Sequence, residues 1–221
     1  MKIKKQIVSQ HYENRKKEVL LKKNEKSTSM WHEKEEIRNK IYDTLIKEDF
    51  TIVEVGVRLA ENACMIYLRD PKKMYLVDPW IKSSGYPNHS KNDVFYKRVC
   101  EVFSSFDNVE IIREKSETAC HKFKKDYFDL AYIDSGHTFK DVLRDLNAWS
   151  EKIKIGGYIV GDDYFGEKNP DKRVKWKEHN YGVIEALHAF LDKNKNFEIF
   201  HIDQEKTFPL KAGQFIIKRV Y

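Results

Sequence analysis

After residue 50 the spacing of apolar positions keeps switching between a period of two and a helical period. The stretch "TIVEVGV" (51–57) is a short β-branched run and predicts a strand. "ENACMIYLRD" reads as a helix that Pro71 stops. "KMYLVDPW" predicts a second strand ending on Asp78, and "NDVFYKRVCEVFSSF" a helix with Val94, Phe95, Val99, Val102 and Phe103 as its apolar positions. "NVEIIRE" predicts a third strand, "SETACHKFKK" a helix, "YFDLAYID" a fourth strand and "TFKDVLRDLNAWSEKI" a helix carrying Val142, Leu146 and Trp149. "GGYIVGDD" is a fifth strand and "GVIEALHAFLDKN" a helix. "FEIFHID" and "GQFIIKRV" close the chain as two strands with only "QEKTFPLKA" between them.

Strands alternating with helices imply a parallel sheet covered on both faces. The last two strands lack a crossover helix, so they can pair as an antiparallel hairpin at one side of the sheet. The expected fold is therefore α/β. Seven strands are counted, with the terminal hairpin at one side of the sheet. Upstream, "MWHEKEEIRNKIYDTLIKED" places Ile37, Ile41, Leu45 and Ile46 on a helical period. Residues 1–30 are rich in Lys, Asn, Gln and Ser and suggest a loose helical arm or extension. Residues 1–48 are thus set apart as an N-terminal helical arm, and 49–221 as one domain.

Composition narrows the classes. The chain has 221 residues, 41% hydrophobic and 13% aromatic, enough for one core. Its net charge of +6 is spread over 34% charged residues of both signs, a solvated surface rather than a nucleic-acid stripe. Cys64, Cys100 and Cys120 form no CxxC pair and give no disulfide framework, which fits a reducing compartment. No apolar run approaches a membrane span, and no secretory signal is evident at the N-terminus, so a cytoplasmic location is expected.

In such sheets ligands sit beyond the carboxyl ends of the strands. Reading those ends gives Glu54 and Gly56, Asp78, Glu114 to Ser116, Asp134, then Asp162 and Asp163. So many carboxylates on one rim repel one another unless a cation or hydrogen-bond donors compensate. A glycine after the first strand allows close backbone approach, and Asp78 about 20 residues further on can accept ribose hydroxyls. The pair points to a nucleoside-containing cofactor. Gly56 stands alone, without the GxGxxG that a pyrophosphate needs. S-adenosylmethionine has no phosphate, and its cationic end suits an acidic rim.

With these motifs the chain resembles the class I S-adenosylmethionine-dependent methyltransferases over residues 50–220, which implies a Rossmann-like, seven-stranded, mostly parallel sheet with an antiparallel last strand, in agreement with the terminal hairpin. "YFDLAYIDSGHTFKDVLRDLNAWSEKIKIGGYIVGDDYF" is similar to the branch of small-molecule O-methyltransferases that includes metal-dependent sugar methyltransferases. The resemblance implies that Glu54 and Gly56 border the methionine part of the cofactor, that Asp78 accepts from the ribose with Trp80 close behind, and that Ser116 and Glu117 border the adenine. It implies that Asp134, Asp162 and Asp163 hold a divalent cation, Mg²⁺ being the expected one, and that His137 is the general base. Asp134 is implied on both the cofactor and the acceptor side.

The first motif departs from the family. Only Gly56 of the glycine-rich loop is kept, and Arg58, Leu59 and Ala60 are expected to narrow the space by the cofactor. A methyltransferase-like binding domain without turnover is one rival reading, and an RNA-directed methyltransferase, suggested by the basic arm, is another. The fourth strand ends on "IDSGH" rather than a "DPPY"-type turn, so O-methylation is expected over N-methylation of a base. The expected partner is a small polar acceptor, a sugar or a phosphate- or nucleotide-bearing sugar. No membrane and no nucleic acid are expected, and a homo-oligomer is allowed for. Residues 81–93, with Tyr86 and His89, and 164–182, with Lys172, Arg173, Lys175 and Trp176, are expected to shape the acceptor pocket.

Overall fold

The computed structural model describes residues 2–20, 25–81, 92–164, 180–202 and 213–221. The pocket-shaping positions Tyr86, His89, Lys172, Arg173, Lys175 and Trp176 lie outside the described residues. The strands are β1 Thr51–Val55, β2 Lys73–Val77, β3 Val109–Ile112, β4 Phe128–Ile133, β5 Ile153–Gly161, β6 Phe197–Ile202 and β7 Phe215–Arg219. The helices are α1 Lys2–Leu20, α2 Glu25–Leu45, α3 Glu61–Tyr67, α4 Asn92–Phe103, α5 Ser116–Ala119, α6 Phe139–Ser150 and α7 Val183–Lys193.

The seven strands form one sheet in the order β3-β2-β1-β4-β5-β7-β6. Strands β1 to β5 pair in parallel, and β7 runs antiparallel to both β5 and β6. The closing hairpin therefore enters with its second strand inward. The near-continuous apolar run "QFIIKRV" explains that choice, because β7 is buried at Phe215, Ile216 and Ile217 while β6 leaves Ile199 and Phe200 exposed.

The period-two pattern sorts side chains into two cores. Ile52, Met74, Leu76, Leu130, Tyr132 and Val160 face a layer containing α1 to α4. Val53, Val55, Val77, Ala131, Ile133 and Ile159 face a layer containing α6 and α7. Helix α6 starts at Thr138, whose hydroxyl accepts from the Asp141 amide, and buries Val142, Leu146 and Trp149. The 116–125 helix expected from sequence is shorter: α5 is one turn followed by a 3-10 turn, Cys120–Lys122. Phe123 leaves the helix with φ −112° and packs against Tyr75, Phe128 and Trp149. That aromatic burial wins over continuation of a lysine-rich turn.

The N-terminal stretch is docked, not loose. Val8 and Tyr12 of α1, and Ile41, Tyr42 and Leu45 of α2, belong to the same core as the sheet. Ion pairs fix α1 along its length: Lys4 to Asp107, Lys5 to Asp70, Arg15 to Glu18 and Glu61, and Lys16 to Glu35. No helix among the described residues is long and apolar enough to cross a membrane.

Candidate active site

Strand order reverses between β1 and β4, so the crevice beyond their carboxyl ends is the place where such a sheet binds ligands. There the backbone segments after β1 and β4 nearly touch. The Asp134 amide donates to the Val55 carbonyl at 2.8 Å, and a Cβ on Gly56 would collide with the Asp134 carbonyl. Gly56 has φ +93°, so this position needs glycine for both reasons.

The loop that follows holds two more left-handed residues, Arg58 at φ 54° and Ala60 at φ 64°. The backbone thus bends as a glycine-rich loop does, with side chains where glycine would be free of strain. Each such residue costs about 1–2 kcal/mol. Asp78 at the end of β2 offsets part of that. Its Oδ2 accepts from the Val57 and Arg58 amides at 3.0 and 2.9 Å, and its Oδ1 accepts from the Trp80 amide at 2.7 Å. The buried Trp80 indole donates to the Arg58 carbonyl at 2.9 Å. Asp78 and Trp80 therefore brace the loop from β2, and a carboxylate with about four lone-pair sites keeps capacity for a further donor.

Glu54 is 1% exposed at the end of β1. Its Oε1 accepts from Asn62 Nδ2 at 3.3 Å, Asn62 in turn accepts from the Tyr42 hydroxyl, and Glu54 Oε2 is buried with no partner among the described residues. Burial drives its pKa well above the usual carboxylate value. An orphaned carboxylate oxygen beside a tight backbone loop is a place for a cationic or hydroxyl-bearing ligand.

Ser116 and Glu117 sit at the start of α5. The Ser116 hydroxyl accepts from the Trp149 indole at 2.8 Å, and Glu117 lies 3.8 Å from Arg144. Between this loop and the β4 loop lies Asp145, fully buried, which accepts from Ser135 and from Arg144. Burial raises its pKa, with Ser135 and Ser116 opposing the shift.

The other half of the rim gathers Asp134, His137 and Asp163, whose ligand atoms all lie within 4.8 Å of one another. His137 Nδ1 is 3.3 Å from Asp163 Oδ2, and the imidazole stacks on Tyr181 at 4.8 Å and 10°. The Gly182 amide donates to the His137 carbonyl at 2.8 Å, which ties the start of α7 to this loop. Burial, then Asp162 and Asp163, push the Asp134 pKa up to about 7. Asp162, expected with Asp134 and Asp163 in one ligand set, is placed differently. It is 5% exposed and its Oδ2 accepts from the Arg38 guanidinium of α2. The Arg38 guanidinium lies 3.7 Å from Asp134 and 5.6 Å from the Tyr132 ring centroid. A helix outside the sheet thus supplies the positive charge that the crowded rim required.

The sequence profile of the family described as "methyltransferase domain" matches residues 53–164, about half of the chain, and includes the carboxyl ends of β1 to β5. The chain belongs to the methyltransferase-domain family. Uncharacterized protein R132 of Acanthamoeba polyphaga mimivirus is 27% identical to this methyltransferase over 185 residues, covering 81% of this chain and 77% of that protein. Among solved structures, Aeropyrum pernix fibrillarin with bound S-adenosyl-L-methionine aligns with a TM-score of 0.59 at 12% identity, covering 85% of this chain and 76% of its own. A geranyl diphosphate methyltransferase in complex with S-adenosylmethionine gives 0.58 at 12%, covering 83% and 84%. An rRNA methylase from Streptococcus thermophilus gives 0.58 at 12%, covering 84% and 96%. At these identities the structures establish the fold that the methyltransferase shares with them.

Three charged residues were missed in sequence: Arg38 and Asp145 beside the rim carboxylates, and Arg15 against Glu61 at the start of α3. All three lie on apolar stripes. Arg15 follows Val8 and Tyr12, Arg38 precedes Ile41, Tyr42 and Leu45, and Asp145 lies between Val142 and Trp149. A charge on the buried face of an amphipathic helix is the signal that would have found them.

Proposed function

We propose that this methyltransferase takes its methyl group from S-adenosylmethionine and passes it to a hydroxyl of a small polar molecule, a sugar or nucleotide-linked sugar being the favoured class. Glu54, Gly56, Asp78 and Trp80 would hold the methionine and ribose parts, and the loop with Ser116 and Glu117 would border the adenine. The unpartnered Glu54 Oε2 and the loop braced by Asp78 fit that ligand. When bound, the cofactor supplies an electrophilic methyl group.

The observation that carries the reading is the His137–Asp163 pair, 3.3 Å apart, at the strand ends next to Gly56. An alcohol is a poor nucleophile until its proton leaves, and a positioned imidazole accelerates that by about 10²–10⁴-fold. Asp163 fixes the ring through Nδ1, and Tyr181 holds its plane, leaving Nε2 to accept the proton. The oxygen donors of Asp134 and Asp163, with His137 beside them, also fit a hard divalent cation such as Mg²⁺. Held there, the ion would orient a substrate hydroxyl and lower its pKa. Asp162, paired to Arg38, stands outside that set.

A small acceptor is favoured over RNA because four basic residues of α1 are spent on internal ion pairs rather than presented as a cationic surface. Turnover of a panel of sugars and nucleotide sugars with labelled S-adenosylmethionine tests the reading. Methyl transfer to a hydroxyl, lost in His137→Ala, is expected. Activity undiminished by both EDTA and Asp163→Asn would remove the metal from it, and transfer to RNA alone would remove the acceptor class.

A further inference from the structure

We infer that helix α1 is a working part of the cofactor loop, with His11 and Arg15 as positioning residues that hold a glycine-poor loop in a glycine-loop shape. His11 Nε2 lies 3.2 Å from the Leu59 carbonyl. A carbonyl only accepts, so Nε2 carries the hydrogen and donates. Leu59 stands between Arg58 and Ala60, the two residues in left-handed backbone. One turn along α1, Arg15 is 8% exposed and donates to Glu61 Oε1 from Nε at 3.2 Å and from a terminal nitrogen at 2.8 Å. Glu61 is the first residue of α3, immediately after Ala60. The same arginine pairs with Glu18, which also meets Arg98 of α4 at 3.2 Å.

Two elements therefore hold residues 57–61. From β2, Asp78 takes the Val57 and Arg58 amides and Trp80 gives its indole hydrogen to the Arg58 carbonyl. From α1, His11 takes up the Leu59 carbonyl and Arg15 the start of α3. Left-handed backbone at a residue with a Cβ persists only where its surroundings over-determine it. Glycine at 58 and 60 would need no such support. The two α1 contacts are what this chain has in place of the missing glycines, and burial of Val8 and Tyr12 anchors the helix that carries them.

The inference rests on the cofactor reading only for its functional consequence, so the test has one arm that needs no ligand. Amide exchange is compared in the wild type, His11→Ala, His11→Gln and the double variant Arg58→Gly/Ala60→Gly with and without His11→Ala. In His11→Ala the Val57 and Cys64 amides, bonded to Asp78 and to the Ala60 carbonyl, exchange about threefold to tenfold faster, while Val220 at the far edge of the sheet is unchanged. His11→Gln, which keeps a donor, restores most of the protection. In the glycine background His11→Ala changes the Val57 amide less than twofold. S-adenosylhomocysteine affinity by calorimetry follows the same order. Unmoved loop amides in His11→Ala, equal effects in both backgrounds, or uniform loss across the sheet overturns the inference. A wild type that binds no S-adenosylhomocysteine while the exchange pattern holds overturns the cofactor reading instead.

Discussion

The two halves of the rim satisfy their carboxylates in opposite ways. At β1 and β2, Asp78 is met by three backbone amides and Glu54 by one side-chain amide. At β4 and β5, Asp162 is met by a guanidinium and Asp163 by an imidazole. Neutral amides fix a shape and stay as they are when pH changes. Charged and titratable partners can exchange protons or yield to another cation. On the proposed function, the first half would hold a ligand in one pose, and the second would change protonation while the acceptor reacts. That division fits the proposed transfer to a hydroxyl, which needs a donor held in place and an acceptor that loses its proton.

The comparison breaks hardest at His137. His137→Ala is expected to lower kcat by about 10²–10⁴-fold while S-adenosylhomocysteine affinity stays within about twofold. Parallel turnover and calorimetry check it, and a loss shared equally by both measurements would erase the division. Next comes Arg38→Met, which takes the guanidinium away from buried Asp162 and leaves it the neutral Gln214 amide at 3.5 Å. A destabilisation of about 3–5 kcal/mol is expected from urea midpoints. Adding Asp162→Asn should recover part of it, since the uncompensated charge is then gone. A cost under about 1 kcal/mol for Arg38→Met would mean that the rim does not need that cation.

A smaller effect sharpens the other half. Burial holds the Glu54 pKa well above the usual carboxylate value. The unfolded side chain titrates near 4.3, so between that pH and the folded pKa the folded chain binds the extra proton. Stability from this group is complete below the unfolded pKa and is lost as pH rises through the folded one. Glu54→Gln removes the loss. Its Tm should therefore exceed that of the wild type at neutral pH, and the gap should widen from pH 4.5 to 8, each 1 kcal/mol appearing as about 2–4 °C. A gap that narrows with pH would contradict the assignment.

Much of this was legible beforehand because period and strand ends are local properties. The alternation after residue 50 gave seven strands along the chain, the terminal hairpin, and the strand-end positions Glu54, Gly56, Asp78, Asp134, Asp162 and Asp163, but not the order of the strands within the sheet. What could not be read was who faces whom. Asp162 looks like a neighbour of Asp163 in sequence, yet its partner Arg38 is 124 positions away. The left-handed turns at Arg58 and Ala60 were equally hidden, because nothing local favours them and their support comes from α1 and β2. The docked α1 was obscured by its lysines, whose acidic partners lie on other elements.

The claim at the centre is that the β1–β2 half of the rim is a cofactor seat. Titration of the purified chain with S-adenosylhomocysteine by calorimetry, wild type beside Asp78→Asn, tests it most directly. Saturable one-to-one binding is predicted, weakened about 10–100-fold in the variant, as expected for losing hydrogen bonds to a charged acceptor. Absence of wild-type binding at millimolar ligand, or equal affinity in the two proteins, would contradict it.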